Sequence, residues 1–315
     1  MKRALVTGAG GFVGANLVRS LVEQEYEVHV IVRGNMLRWR LKDIQRNIIL
    51  HNADLCDREA LKHAVAASAP HEIFHLATAG VYGGKSLPDQ DIVETNLVGF
   101  LNLIEAADFV NYDAFINTGS SSEYGIARVP MREDMDMVPQ NTYGISKLAA
   151  TQYASLVAKT KSRPIVTLRI FSPYGHFDDE RRLIVYAITH MLTGGALTLG
   201  DPHSVRDYIY IDDVLRAYFC AVENALQWRG ETFNVGSGTE TSIEKVVSLL
   251  QRITKSQSKI TWANQSQRPW ESPRWEADIS KARQKLGWKP DISLEEGLLR
   301  TVNWFKQNIH SYTQS

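Results

Sequence analysis

Three short stretches hold the residues whose types and spacing suit chemistry. In Asn141-Thr142-Tyr143-Gly144-Ile145-Ser146-Lys147, Tyr143 and Lys147 stand four apart, which on a helix puts them on one face about 6 Å apart along the axis. A free phenol titrates near pH ~10, so acid–base work near neutrality needs a cation beside it to stabilise the phenolate. Lys147 can supply that charge and also bond a ribose. Upstream, Asn117-Thr118-Gly119-Ser120-Ser121-Ser122-Glu123-Tyr124-Gly125 gathers hydroxyls that would make a poor core and a good set of hydrogen-bond donors. Near the amino terminus, Thr7-Gly8-Ala9-Gly10-Gly11-Phe12-Val13-Gly14 spaces Gly8, Gly11 and Gly14 as G-x-x-G-x-x-G. Such a turn lets the backbone approach a pyrophosphate and aims a helix amino terminus at the anion.

A dinucleotide is discriminated where the second strand ends. An acidic residue there bonds the ribose 2′-hydroxyl and repels a 2′-phosphate. Here the strand ends Ile31-Val32-Arg33-Gly34 and is followed by Arg38 and Arg40, and guanidinium groups suit bidentate phosphate contact. The expected cofactor is therefore NADP(H), with NAD(H) kept as an alternative. Asp54 could accept a hydrogen bond from an adenine amino group, or cap the next helix, for which Asp57 is an equal candidate.

The elements that must position these groups alternate. Short β-branched runs at 4–6, 28–32, 48–50, 73–76 and 115–117 read as strands, and 12–23, 58–67, 91–109 and 143–159 as helices. This is the pattern of a parallel sheet covered on both faces, a Rossmann-type doubly wound α/β fold whose ligands bind at the carboxyl ends of the strands. Beyond Pro164 the sequence predicts strands at 165–170, 207–211 and 232–235, and helices at 181–192, 213–224, 242–253, 280–286 and 294–305. The polar segment 256–276, with three Trp and two Pro, reads as a loop-rich covering element. The expected division is a dinucleotide-binding domain over 1–168, completed near 205–236, with a smaller interleaved substrate lobe from 169–204 and 237–315.

The chain's 315 residues are 44% hydrophobic, with 35 Lys and Arg against 35 Asp and Glu. That composition buries a sizeable core and excludes disorder. Zero net charge leaves no global field for nucleic acid or an anionic membrane, so an anionic ligand must be held by local chemistry. Cys56 and Cys220 are too few for a disulfide framework or a four-ligand zinc site. Basic residues precede an apolar stretch at the amino terminus, but four glycines interrupt it. No apolar run approaches the roughly 18 residues that span a bilayer. A cytoplasmic protein without membrane or metal is expected.

The motifs together resemble the extended short-chain dehydrogenase/reductases, the nucleotide-sugar epimerase/dehydratase family, over essentially the whole chain. The resemblance rests on the 7–14 turn, His75-Leu76-Ala77, Thr95-Asn96-Leu97, the 120–125 hydroxyl run and the Tyr143/Lys147 pair. It continues through Arg169-Ile170-Phe171-Ser172-Pro173-Tyr174-Gly175, Arg206 to Asp213, and Arg268 to Lys281. It implies a nicotinamide cofactor held by Gly8, Gly11, Phe12, Val13, Gly14, Arg33, Arg38, Asp54, Leu55, Leu76, Ala77, Thr78, Tyr143 and Lys147. It implies a catalytic set of Ser120, Tyr143 and Lys147, with Ser121 as the alternative hydroxyl. For the nucleotide-diphosphate sugar it implies Ser121, Ser122, Ser172, Arg206 and Arg268. Helices 91–109 and 143–159 resemble those of an intersubunit four-helix bundle, so a homodimer is expected.

Family 4,6-dehydratases carry an Asp-Glu or Ser-Glu pair directly after the catalytic hydroxyl. Here Ser121 and Ser122 hold those places and Glu123 is one residue late, which disfavours dehydration. His176 stands near the place where 3,5-epimerase/reductases use a histidine, but no Cys accompanies the serines. Hydride chemistry at C4 remains: reduction of a 4-keto-6-deoxy sugar nucleotide, favoured by Arg33, or 4-epimerisation with retained NAD. A non-catalytic cofactor sensor would be expected to lack Tyr143 or Lys147, and both are present.

Overall fold

The computed structural model describes residues 1–34, 39–80, 87–263 and 272–313. Its first half alternates β1 (Arg3–Thr7), α1 (Phe12–Glu23), β2 (Glu27–Val32), β3 (Ile48–Asn52), α2 (Arg58–Ser68), β4 (Glu72–His75), α3 (Asp89–Val93), α4 (Gly99–Ala107), β5 (Ala114–Ser120), α5 (Thr142–Thr160) and β6 (Ile165–Ile170). The second half adds β7 (Ser172–Tyr174), α6 (Leu183–Thr193), β8 (Leu197–Leu199), β9 (Val205–Tyr210), α7 (Ile211–Glu223), β10 (Thr232–Val235), β11 (Glu240–Ser242), α8 (Ile243–Thr254), β12 (Ile260–Trp262), α9 (Ser280–Lys285), α10 (Leu294–Asn308) and α11 (His310–Thr313).

Seven strands form one sheet in the order β3-β2-β1-β4-β5-β6-β10, every neighbouring pair parallel. Successive strand residues serve opposite faces. Leu5, Ile73, Phe115 and Ile165 pack with Phe100, Leu103 and Ala150 on one side. Their neighbours Val6, Phe74, Ile116 and Val166 join Leu17, Val214 and Tyr218 on the other. The chain builds outward from β1 to β3, then resumes on β1's other side with β4. That reversal opens a crevice at the carboxyl ends of β1 and β4, where Thr7 lies opposite His75.

The second half departs from expectation where tertiary pairing overrides local pattern. The strand expected at 207–211 starts at Val205, because Val205, Arg206 and Asp207 pair antiparallel with β11; β7 pairs with β9's other edge to complete a three-stranded sheet. The covering segment expected to be loop-rich contributes β12, parallel to β8. The helix expected over 91–109 is interrupted by a π-turn at Glu94–Val98, between α3 and α4. Such turns recur at functional sites. Among the described residues no helix is long and apolar enough to cross a membrane.

Candidate active site

The turn after β1 is shaped by steric exclusion. Gly8 has φ +72°, and a Cβ there would lie 2.4 Å from the Ala77 amide nitrogen; one on Gly14 would lie 2.2 Å from the Gly8 carbonyl oxygen. Only glycine lets this turn pass so close to the Leu76-Ala77 backbone. Gly11 begins α1 and, lacking a side chain, leaves the first-turn amides uncapped by its own residue. Amides at a helix amino terminus attract anions. Phe12 and Val13 are half-buried in that first turn. Thr7 Oγ1 lies 2.8 Å from His75 Nδ1 and accepts the Ala77 amide at 3.3 Å, locking the two strand ends together. Burial, reinforced by the Lys147 charge, pushes the His75 imidazole down to about 3, so it is neutral at working pH.

The groups expected to read the ribose divide. Arg33 is exposed at the end of β2, and its guanidinium lies 3.9 Å from the Asp54 carboxylate. Asp54 also accepts the Cys56 amide at 2.9 Å. It does not cap α2: Asp57 does, accepting the Ala60 amide at 3.1 Å. Leu55 is buried and packs over Gly99. Arg40, grouped in the sequence with the phosphate-suited arginines, is turned inward. It is 7% exposed and donates to the Phe177 carbonyl at 2.6 Å, so it braces the loop after β7. Arg38 lies outside the described residues, as does Arg268.

Tyr143 and Lys147 occupy the first turns of α5, which Asn141 caps by accepting the Gly144 amide at 2.8 Å. Tyr143 is half-buried, and a Cβ on Gly80 would come within 2.7 Å of its ring. The loop leaving β4 therefore runs from the glycine turn to the face of the tyrosine. Lys147 is 3% exposed. Burial pushes its ammonium down to about 8, against the opposing pull of Glu123. A Cβ on Gly144 would meet the Ser122 carbonyl oxygen at 2.5 Å, which places the serine run against the start of α5. Ser120 Oγ accepts the Ser122 amide at 3.1 Å, leaving its proton to donate.

Four contributors were not assigned roles from the sequence. Glu123, fully buried, accepts the Ser120 amide at 2.8 Å and the Thr151 hydroxyl at 3.1 Å, and pairs with Arg169 at 2.7 Å. The signal was there, in the Ser-x-x-Glu spacing of a capping box. Asn96, in the π-turn, accepts the Ala79 amide and donates to the Ala79 carbonyl, both at 2.7 Å, and donates to Ser146 Oγ at 3.0 Å. It ties the β4 loop to α5. His75 was visible only as part of a motif. Trp275 donates its indole N–H to Ser121 Oγ at 3.2 Å, while the Arg206 guanidinium lies 4.8 Å from its ring centre. Ser172 sits half-buried on β7, paired in register with Tyr208. Thr78 donates to Asn96 Oδ1 at 3.1 Å.

A doubly wound α/β sheet, a glycine turn at its switch point and a Tyr-x-x-x-Lys helix beside the crevice define a Rossmann-type fold with the layout of a short-chain dehydrogenase/reductase. Residues 5–301 match the family described as GDP-mannose 4,6 dehydratase. The chain is 29% identical over 317 residues to UDP-glucuronate 4-epimerase of Thermodesulfobacterium geofontis, covering 97% of this chain and 96% of that protein. It is 28% identical over 342 residues to dTDP-glucose 4,6-dehydratase 1 of Escherichia coli, covering 97% and 93%. Among solved structures, UDP-glucuronic acid 4-epimerase from Bacillus cereus, in complex with UDP-glucuronic acid and NAD, superposes with a TM-score of 0.84 at 29% identity, covering 98% of this chain and 99% of that one. The chain belongs to the extended short-chain dehydrogenase/reductases, in their nucleotide-sugar epimerase/dehydratase family.

Proposed function

We propose that the protein is a nicotinamide-dependent oxidoreductase acting at C4 of a nucleotide-diphosphate sugar, and that it reduces a 4-keto-6-deoxyhexose nucleotide. The observation that carries the C4 chemistry is the meeting of Tyr143, buried Lys147 and the Ser120–Ser122 run at one end of α5. The glycine turn fits a dinucleotide, since its glycines hold the space that any Cβ would fill. Gly8, Gly11, Gly14 and the α1 amides would hold the pyrophosphate, with Leu76, Ala77, Thr78, Tyr143 and Lys147 toward the nicotinamide end. A bound nicotinamide dinucleotide supplies the hydride that reduces C4. Ser120 donates a hydrogen bond to the C4 oxygen, and Tyr143 hands that oxygen its phenolic proton. The Lys147 ammonium stabilises the phenolate left behind.

The choice of reaction rests on two side chains. Glu123 spends both carboxylate oxygens on Ser120, Thr151 and Arg169, which removes it as the acid or base a dehydration needs. Arg33 stands where an acidic residue would favour NAD, which supports NADP(H) and a reductase that exchanges its cofactor every turnover. A second reading, a 4-epimerase retaining NAD, is favoured by the 4-epimerases among the relatives and by the inward turn of Arg40. In either reading the lobe from 169–204 and 237–315 holds the sugar nucleotide through Ser172 and Arg268, joined by Arg206 from β9 in the segment that completes the dinucleotide-binding domain. A homodimer through α5 and the residues flanking α4 is supported by exposed Leu156 on α5 and exposed Val98 and Phe109 at the two ends of α4.

Absorbance of reduced cofactor followed across UDP-, dTDP-, GDP- and CDP-linked 4-keto-6-deoxyhexoses tests the proposal. Consumption of NADPH with at least one of them is expected. With the corresponding 4-hydroxy sugar nucleotides, interconversion of C4 epimers without net cofactor use establishes the second reading, and dinucleotide binding without turnover of any 4-keto or 4-hydroxy sugar nucleotide overturns both.

A further inference from the structure

Trp275 is the side chain through which the hydroxyl run and the Arg206 strand meet. We propose that Trp275 is a positioning residue that sets two ligand-facing groups with one indole: the Ser121 hydroxyl toward the sugar and the Arg206 guanidinium toward the diphosphate. The inference deepens the function proposed above and rests on it.

An indole N–H only donates. Bonded to Trp275 at 3.2 Å, Ser121 Oγ must accept, so its own proton is directed elsewhere and serves a sugar oxygen. A guanidinium over an indole face is held by the ring quadrupole, and Arg206 lies 4.8 Å from that ring while donating to the Val205 carbonyl at 2.6 Å. The pyranose ring separates a sugar nucleotide's C4 from its diphosphate. A rigid group spanning Ser121 and Arg206 therefore fixes the distance between the two recognition points.

The backbone around Trp275 is over-determined. Its own amide donates to Glu240 at 3.0 Å, and the Ala277 amide donates to buried Asp207 at 3.0 Å. Ser272 Oγ accepts the Ala127 amide at 2.8 Å and donates to the Ala127 carbonyl at 3.0 Å. The Met131 amide donates to the Glu276 carbonyl at 2.8 Å. These bonds tie the segment to β9, to β11 and to the loop following the serine run. The indole has a fixed origin from which to place its two partners.

The test compares Trp275→Phe, Trp275→Leu and Arg206→Ala in full-length protein, each first shown to keep its unfolding midpoint and dinucleotide affinity. Binding of UDP, dTDP, GDP and CDP is measured by calorimetry, and kcat and KM are measured with the best sugar nucleotide. Trp275→Leu should weaken the nucleoside diphosphate about tenfold, the loss of one guanidinium–indole contact. Trp275→Phe, which keeps a ring but no N–H, should largely restore that affinity while lowering kcat severalfold. Nucleoside diphosphate binding lost in Arg206→Ala but unchanged in Trp275→Leu overturns the inference, as does a wild-type kcat in Trp275→Phe. If wild type binds none of the nucleoside diphosphates, the proposed function fails, and this inference with it.

Discussion

The two ends of the crevice are built differently. The end formed by Gly8, Gly11 and Gly14 is made of backbone from one turn, and its specificity lies in what is missing: a Cβ at Gly8 or Gly14 would fall within 2.4 Å of main-chain atoms. The opposite end is made of side chains from separated segments, with Ser120–Ser122, Tyr143 and Lys147, Arg206 and Trp275 held in place by Glu123, Arg169, Asn96 and Asp207. A backbone site suits the part of a ligand that every family member shares. A side-chain site can be altered one residue at a time without disturbing the sheet, and that is where substrate and reaction can diverge.

Substitutions at the two ends should therefore fail in different ways. The largest effect is expected from Tyr143→Phe: about 10²- to 10⁴-fold in kcat, the usual range for a lost general acid, with dinucleotide affinity near wild type by fluorescence titration. A wild-type rate would remove Tyr143 from the chemistry. Glu123→Gln strands the Arg169 charge, which is 4% exposed, and should cost about 3–5 kcal/mol in denaturant unfolding. A loss within error would show that the serine run is not held by this pair. Gly8→Ala, at φ +72°, should cost about 1–3 kcal/mol and abolish dinucleotide binding. Retained binding would mean that the turn yields, and the contrast between the ends would blur.

Smaller effects sharpen the contrast. Arg33→Asp should weaken NADP(H) about tenfold, or ~1.4 kcal/mol, and leave NAD(H) nearly unchanged; equal losses would show that Arg33 does not read the 2′-phosphate. The pH dependence follows from Lys147. Its folded value of about 8 lies below the usual 10.5, so the ammonium loses its proton as pH rises through about 8. The phenolate then loses its cation, and reduction should slow above that pH. A rate flat well beyond 8 would show that the charge is not needed.

How much was legible in the sequence follows the same division. The sheet and the glycine turn were readable because strand periodicity and G-x-x-G-x-x-G spacing are local, and Tyr143 and Lys147 were readable because one helical turn joins them. The start of β9 and the presence of β12 were not, since Val205 and Ile260 become strand by pairing with Ser242 and Leu197. Arg40 was grouped with Arg33 by charge alone. Its burial beneath the Phe177 carbonyl depends on a loop more than a hundred residues away. Trp275 was visible only as an aromatic in a polar segment. Its partners stand on different sheets, Ser121 just after β5 of the seven-stranded sheet and Arg206 on β9 of the three-stranded one, and no local pattern announces that they meet at one indole.

The proposed reaction is hydride transfer at C4 with Tyr143 as the proton donor. Its most direct test is to turn over NADPH deuterated at nicotinamide C4 with 4-keto-6-deoxyhexose nucleotides and to locate the label in the product by NMR. Deuterium at sugar C4, one per NADPH consumed, is predicted in wild type, with its rate of incorporation about 10²- to 10⁴-fold lower in Tyr143→Phe. Label at another carbon, or incorporation undiminished in Tyr143→Phe, would contradict it.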